Sequence, residues 1–202
     1  VSASAIGACV AAFVIGAIPF GVVISRLFFR RDLRAEGSGN IGAANALRAL
    51  GKRGAIAVLV LDALKGAVAV WLGRAACGDP VGAAAAVAAV LGHCFSPFLR
   101  WRGGKGVATS LGAIVTLAWP AGLAFVAVWL AVVAATGYAS AGSMLGSLAA
   151  VPALGAFAGA PGWWYGGAAA VIVITQHRGN IARLRTGTEN VLPIFGRGKS
   201  KA

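Results

Sequence analysis

The sequence predicts an all-α polytopic membrane protein, and three observations carry that reading. First, 59% of its 202 residues are hydrophobic and only 11% are charged, whereas a soluble domain has about 25% charged residues to coat its surface. Second, apolar stretches near the roughly 20 residues that cross a bilayer as helix follow one another along the chain. Third, Lys and Arg collect in short segments between those stretches, the pattern of positively charged inner loops. The formal net charge of +13 would suit nucleic acid on one face of a soluble protein. Here topology accounts for it, and no nucleic-acid partner is expected. Residues 1–202 read as one integral membrane domain.

The first apolar run, Ala3 to Phe29, has no basic residue before it, and Arg26, Arg30, Arg31 and Arg34 lie at or behind its end. That is the reverse of a signal peptide. It should insert with its N-terminus outside and its C-terminal flank in the cytoplasm. Further spans are expected at about 54–76, 80–99, 107–119, 121–136, 142–158 and 163–176. Seven transmembrane helices with the N-terminus outside place segments 30–53, 100–106, 137–141 and 177–202 in the cytoplasm, the C-terminus included. Of the 18 Lys and Arg, only Arg74 falls in an external loop and only Lys65 inside a span, leaving 16 on or beside the inner side.

Spans four and five are short and separated only by Trp119-Pro120-Ala121-Gly122, so a re-entrant pair is the alternative there. Trp163, Trp164 and Tyr165 read either as an interfacial belt or as packing aromatics. The small residues Gly82 to Ala89 suit close helix packing. Cys9, Cys77 and Cys94 have no ligand spacing, and neither a metal, a disulfide nor a cofactor is implied.

Three inner segments carry chemistry. In Gly37-Ser38-Gly39-Asn40-Ile41-Gly42-Ala43-Ala44-Asn45-Ala46-Leu47-Arg48, the glycines allow tight turns that converge N–H groups. Ser38, Asn40 and Asn45 add donors, and Arg48 a planar fork for phosphate oxygens. A flexible turn-rich loop is the plainer alternative. In the second, Arg100 to Ser110, Gly103, Gly104 and Gly106 bracket Lys105 at the mouth of a helix, where N–H groups and ammonium favour an anion. The Walker A spacing is absent, and snorkelling explains Arg100 but not the three glycines. The third, His177 to Glu189, has His177 and Asn180 at helical spacing on one face, with Glu189 available to pair with an arginine of the rim. Hydroxyls in Tyr138 to Ser143 could cap a helix or meet a ligand. Asp62 and Lys65, three apart within a span, should pair inward as structural or supporting residues.

Taken in order, these segments resemble the signature of the acyl-phosphate-dependent glycerol-3-phosphate acyltransferase family known as PlsY. The specific parts are the first loop running to Asp62-Ala63-Leu64-Lys65-Gly66, then Gly92-His93-Cys94-Phe95-Ser96-Pro97-Phe98 running into Gly103-Gly104-Lys105-Gly106-Val107-Ala108-Thr109, and His177-Arg178-Gly179-Asn180-Ile181. The match is ordered and nearly full length. Ala44 departs from the family's frequent threonine, which argues against a hydroxyl role at 44.

The resemblance implies a multi-pass enzyme of the bacterial inner membrane with its active site toward the cytoplasm. It would move a long-chain acyl group from acyl phosphate to the 1-hydroxyl of glycerol 3-phosphate, giving lysophosphatidic acid and phosphate, the start of phospholipid biosynthesis. Carried over, the family's polar site corresponds to Ser38, Asn40, Asn45, Arg48, Lys105, Ser143, His177 and Asn180, with Glu189 supporting, and Ser140 as the alternative to Ser143. Gly37, Gly39, Gly103, Gly104 and Gly106 join these as substrate-binding backbone. Ser38, Arg48, Lys105, His177 and Asn180 are the candidates for catalysis.

Neither His93 nor His177 has an aspartate five residues later, so the His-x-x-x-x-Asp base of another acyltransferase group is missing. Two schemes remain: a substrate phosphate takes the hydroxyl proton, or His177 does. Glutamine at 177 separates them. A small organic-phosphate or anion transporter is the rival reading, although it would need a polar path to the midplane and matching halves. Oligomeric state is not legible.

Overall fold

The computed structural model describes residues 2–192. Val1 and residues 193–202 lie outside the described residues, and with them the last ten residues of the basic segment 177–202. Among the described residues every regular element is helical: α1 (Ala3–Ala17), α2 (Phe20–Phe29), α3 (Ala43–Cys94), α4 (Val107–Leu117), α5 (Trp119–Thr136), α6 (Ala139–Gln176) and α7 (Arg178–Arg185), with 3-10 turns at Leu33–Ala35 and Pro97–Leu99. Four helical stretches among the described residues are long and apolar enough to cross a membrane: Ala3–Phe29, Ala43–Leu99, Trp119–Thr136 and Ala139–Gln176.

Two of these stretches contain sharp turns. In α3 the backbone leaves helical geometry at Gly51 and again at Cys77 and Gly78, and in α6 at Gly159. Each of these glycines has a φ of +63° to +77°, which only glycine adopts without a Cβ penalty. After the second turn the chain folds back on itself, so that a Cβ at Gly73 would strike the backbone of Val81 and Gly82. Likewise one at Gly162 would strike the carbonyl of Leu154. Helical segments 52–76 and 79–94 therefore form one hairpin, and 139–158 and 160–176 another. The external loop expected around 77–79 is only this turn, held by Arg74 Nε donating to Asp79 at 2.5 Å.

The first apolar run is not one straight helix. Pro19 lacks an N–H and breaks it between α1 and α2, and the carbonyls freed there are taken by distant side chains. Ser96 Oγ donates to Ala17 O at 2.6 Å and Lys65 Nζ to Ile18 O at 3.0 Å.

Small residues let the helices approach closely. Ala83, Ala85, Ala86 and Ala89 are fully buried; Gly16 lies against the Ala89 carbonyl and Gly92 against that of Phe13, so α1 crosses 79–94 nearly backbone to backbone. Of the three aromatics at 163–165, Tyr165 is wholly buried and donates to Ser110 O at 3.3 Å, whereas Trp163 and Trp164 are largely exposed. Tyr165 thus packs inside, while its two neighbours stand at the surface of the helices.

Candidate active site

The segment expected as one loop from Gly37 to Arg48 is half loop and half helix. Gly42 caps α3, so Asn45 and Arg48 ride on its first turns. Asn45 then organises what precedes it. Its two amide protons are shared among the carbonyls of Leu33 (3.0 Å), Glu36 (3.0 Å) and Asn40 (2.8 Å), and its Oδ1 accepts from Ser38 N at 2.9 Å. Asn40 Oδ1 accepts from Gly42 N at 2.9 Å. Buried amides saturated in this way fix a backbone, and here they hold Ser38 and the start of α3 in place.

Lys105 is positioned from the other side. Gly103 N donates to Cys94 O and Gly104 N to His93 O, both at 3.0 Å, so the loop zips onto the end of α3. Gly106, at φ +80°, turns the chain into α4. Val107 and Ala108 in the first turn of α4, and Ala43 and Ala44 in the first turn of α3, line the same space. Two helix N-termini therefore converge there, each favouring negative charge.

That space is a cavity of about 330 Å³. One wall is polar and comprises Ser38, Arg48, Lys105, Ser143, His177 and Asn180. Another is apolar, with Leu59, Leu111, Phe125, Val126 and Leu130. Leu59, Val126 and Leu130 are also 42%, 38% and 49% exposed, so this side opens onto the outer apolar surface of the helices.

Within the polar wall, Glu189 acts as the hub. Its Oε1 accepts from Asn180 Nδ2 at 2.5 Å and from Ser140 Oγ at 2.8 Å, and its Oε2 from Arg183 Nε at 2.8 Å. Asn180 passes this order on, because its Oδ1 accepts from Lys105 Nζ. Burial holds the Lys105 ammonium down to about 8, with Arg183 and Arg48 pushing the same way and Glu189 opposing. Arg48 gives Nη2 to Asn190 O at 3.3 Å, but its Nε is buried with no partner among the described residues. An orphaned guanidinium donor on a cavity wall calls for an acceptor that comes and goes.

His177 Nδ1 lies 2.7 Å from Val173 O. A carbonyl only accepts, so Nδ1 carries the proton and Nε2 keeps its lone pair. Burial, then the Lys105 charge, holds this imidazole down at about 4, so it is neutral at physiological pH.

The cavity gathers Ser38, Asn40, Asn45, Arg48, Lys105 and Gly106, with Ser143, His177, Asn180 and Glu189 completing it. It leaves out Gly37, Gly39, Gly103 and Gly104. The N–H groups of Gly39, Gly103 and Gly104 donate to the chain's own carbonyls and shape the two loops. Ser140 and Ser143 both line the cavity, but Ser140 is bound to Glu189, while Ser143 Oγ donates to Ala139 O at 2.8 Å. Sequence reasoning missed His93 as a wall residue and treated Asp62 as support alone; both reach the cavity floor. Their signal was an aspartate, a lysine and a histidine all inside apolar spans, where ionisable groups are rare and functional by default.

A model of the glycerol-3-phosphate acyltransferase family matches residues 6–187. The glycerol-3-phosphate acyltransferase of Jannaschia sp. (strain CCS1) is 47% identical over 180 residues, covering 88% of each chain. That of Roseobacter denitrificans is 46% identical over 184 residues, again covering 88% of each. The crystal structure of PlsY, an integral membrane glycerol 3-phosphate acyltransferase, superposes in its glycerol 3-phosphate form with a TM-score of 0.88 at 36% identity, over 93% of this chain and 95% of that one. Its lysophosphatidic acid form gives 0.86 at 34% identity over the same shares.

Proposed function

This chain belongs to the glycerol-3-phosphate acyltransferase family, and from that premise we infer that it is a membrane acyltransferase of lipid biosynthesis that acylates the 1-hydroxyl of glycerol 3-phosphate with acyl phosphate as donor. The observation that carries the donor assignment is the pairing of walls in one cavity: cations and two helix N-termini on one side, and an apolar face open to the lipid on the other. Acyl phosphate needs both at once. Its phosphate and that of glycerol 3-phosphate meet Arg48, Lys105 and the free N–H groups of α3 and α4, and its long chain lies along Leu59, Val126 and Leu130.

The hydroxyl oxygen attacks the acyl carbon, the carbonyl becomes an oxyanion, and the carbon–oxygen bond to phosphate breaks as the tetrahedral intermediate collapses. The departing phosphate takes the hydroxyl proton. His177 serves as an acceptor that orients that hydroxyl through Nε2, because a ring held down at about 4 is a poor match for proton abstraction at neutral pH. Asn180 and Glu189 hold Lys105 in line, and Ser38 and Ser143 add hydroxyls at the polar wall. This reading needs no metal or cofactor, and family membership replaces the transporter reading.

Residues 1–202 are proposed to form one domain with seven spans, the helical segments 3–29, 52–76, 79–94, 107–117, 119–136, 139–158 and 160–176. The N-terminus lies outside and the cavity faces the cytoplasm at the bacterial inner membrane. The α4 segment rises only about 16 Å, which sinks Gly106 and Lys105 below the inner face. Exposed Cys77 sits in the outer turn. Orientation is checked by labelling Cys77 on intact cells with a membrane-impermeant maleimide; protection there with labelling after lysis would reverse it.

The deciding experiment measures phosphate release by purified protein given palmitoyl phosphate with and without glycerol 3-phosphate. Release that requires both substrates, and that falls about 1,000-fold in Lys105→Ala, is expected. Acceptor-independent release, or none from folded protein, would refute the assignment.

A further inference from the structure

Beneath the cavity lies a buried charged cluster that the mechanism above does not use. Asp62, Lys65 and His93 are 1%, 3% and 4% exposed. Lys65 Nζ stands 2.8 Å from Asp62 Oδ1, 3.0 Å from Ile18 O and 2.8 Å from His93 Nδ1. An ammonium has protons and no acceptor, so in its contact with the imidazole Lys65 donates and His93 Nδ1 is the accepting partner. The proton of the neutral ring is thereby fixed on Nε2.

His93 lines the cavity, and Nε2 has no partner among the described residues. Its ring lies against Gly104, next to Lys105, and any Cβ at 104 would land on Nε2. Only a glycine at 104 leaves room for that nitrogen beside the cavity. The cavity is thus faced by two neutral imidazoles of opposite tautomer: His177 presents a lone pair, and His93 presents an N–H.

We propose that His93 is a catalytic residue, its Nε2–H donating to the acyl carbonyl oxygen as that oxygen becomes the tetrahedral oxyanion. Asp62 and Lys65 are positioning residues that set the tautomer from below. The inference rests on the acyl-transfer reading and adds a donor to it. As the glycerol oxygen bonds to the acyl carbon, the carbonyl π electrons move to oxygen, where the N–H bond to His93 strengthens. They return as the bond to phosphate breaks, and no proton leaves the ring. A neutral donor suits this step, since its proton stays in place and its strength grows with the charge on oxygen.

Two amide replacements separate this role from that of a mere partner for Lys65. His93→Asn puts a side-chain oxygen where Nδ1 stands and keeps an acceptor for Lys65, but the shorter amide does not reach the Nε2 position. In His93→Gln the N–H extends to where Nε2 stands. Steady-state turnover of palmitoyl phosphate with glycerol 3-phosphate is measured for both, together with thermal unfolding in the same detergent. The expected result is a kcat within about tenfold of the parent for His93→Gln and about 100-fold lower for His93→Asn, with KM for glycerol 3-phosphate within about threefold in both. Equal kcat in the two variants, or a faster His93→Asn, overturns the proposal. So does a loss that appears in KM alone. If either replacement fails to fold, Gly104→Ala, whose Cβ would press on Nε2 while Asp62 and Lys65 are unchanged in sequence, must lower kcat at least tenfold, and a smaller loss there overturns the proposal. Because the parent is run in the same assay, a parent that turns over with insensitive variants leaves the acyltransferase assignment standing and removes only this donor.

Discussion

The polar rim of the cavity and its floor use the same residue types to opposite ends. At the rim, Arg48 and Lys105 outnumber the one carboxylate, Glu189, among the groups that face the space, and Arg48 Nε has no partner among the described residues. On the floor, Asp62 and Lys65 neutralise one another, and Lys65 is also bonded to Ile18 O and His93 Nδ1. The rim therefore offers charge to a ligand, whereas the floor consumes its charge internally to fix one ring. The two histidines repeat the contrast. His177 is oriented by a helix carbonyl and His93 by an ammonium, and this alone decides which ring shows a lone pair and which a proton. The difference teaches that a buried cation serves binding only when the protein leaves part of its donor capacity unmet.

The comparison is broken most severely on the floor. Asp62→Asn leaves Lys65 in an apolar interior without its counter-charge, and removing one partner of a buried pair costs about 3–5 kcal/mol. A large fall in the thermal unfolding midpoint in detergent is expected, together with loss of turnover in what remains folded. An unchanged midpoint would show that the floor is not an internally closed ion pair.

A smaller effect sharpens the account of the rim. Lys105 is held down to about 8, so the free protein carries this charge below pH 8 and loses it as pH rises further. kcat/KM for glycerol 3-phosphate should accordingly decline by up to about tenfold per pH unit above that point. Arginine stays protonated throughout this range, so Lys105→Arg, at whatever lower level it runs, should lose the alkaline limb. A limb that persists in Lys105→Arg assigns it to another group.

Much of this arrangement is legible in the chain itself. The apolar stretches, the basic segments between them and the brackets of glycine around Lys105 follow from composition and spacing, because the need to satisfy backbone groups in lipid leaves helices as the economical solution. The pairing of Asp62 with Lys65 follows from a separation of three residues on one helix. Pro19 could have announced the break between α1 and α2, since a missing N–H is a local fact. The turns at Gly78 and Gly159 could not be placed so surely, as many other glycines sit in these helices without bending them.

What the sequence by itself determined is the membrane class and the identity of most of the polar wall, including Ser38, Arg48, Lys105, His177 and Asn180. What only the tertiary structure decided is the duty of each donor. Asn45 holds a loop, Gly103 and Gly104 zip to the end of α3, Ser140 rather than Ser143 meets Glu189, and His93 comes from a different helical segment to lie over Lys65 and under Gly104. The physical reason is that residue type fixes how many protons a group can give or accept, whereas which of them remain free depends on partners as far as 142 residues away, as between Arg48 and Asn190, and those are set by how the helices pack.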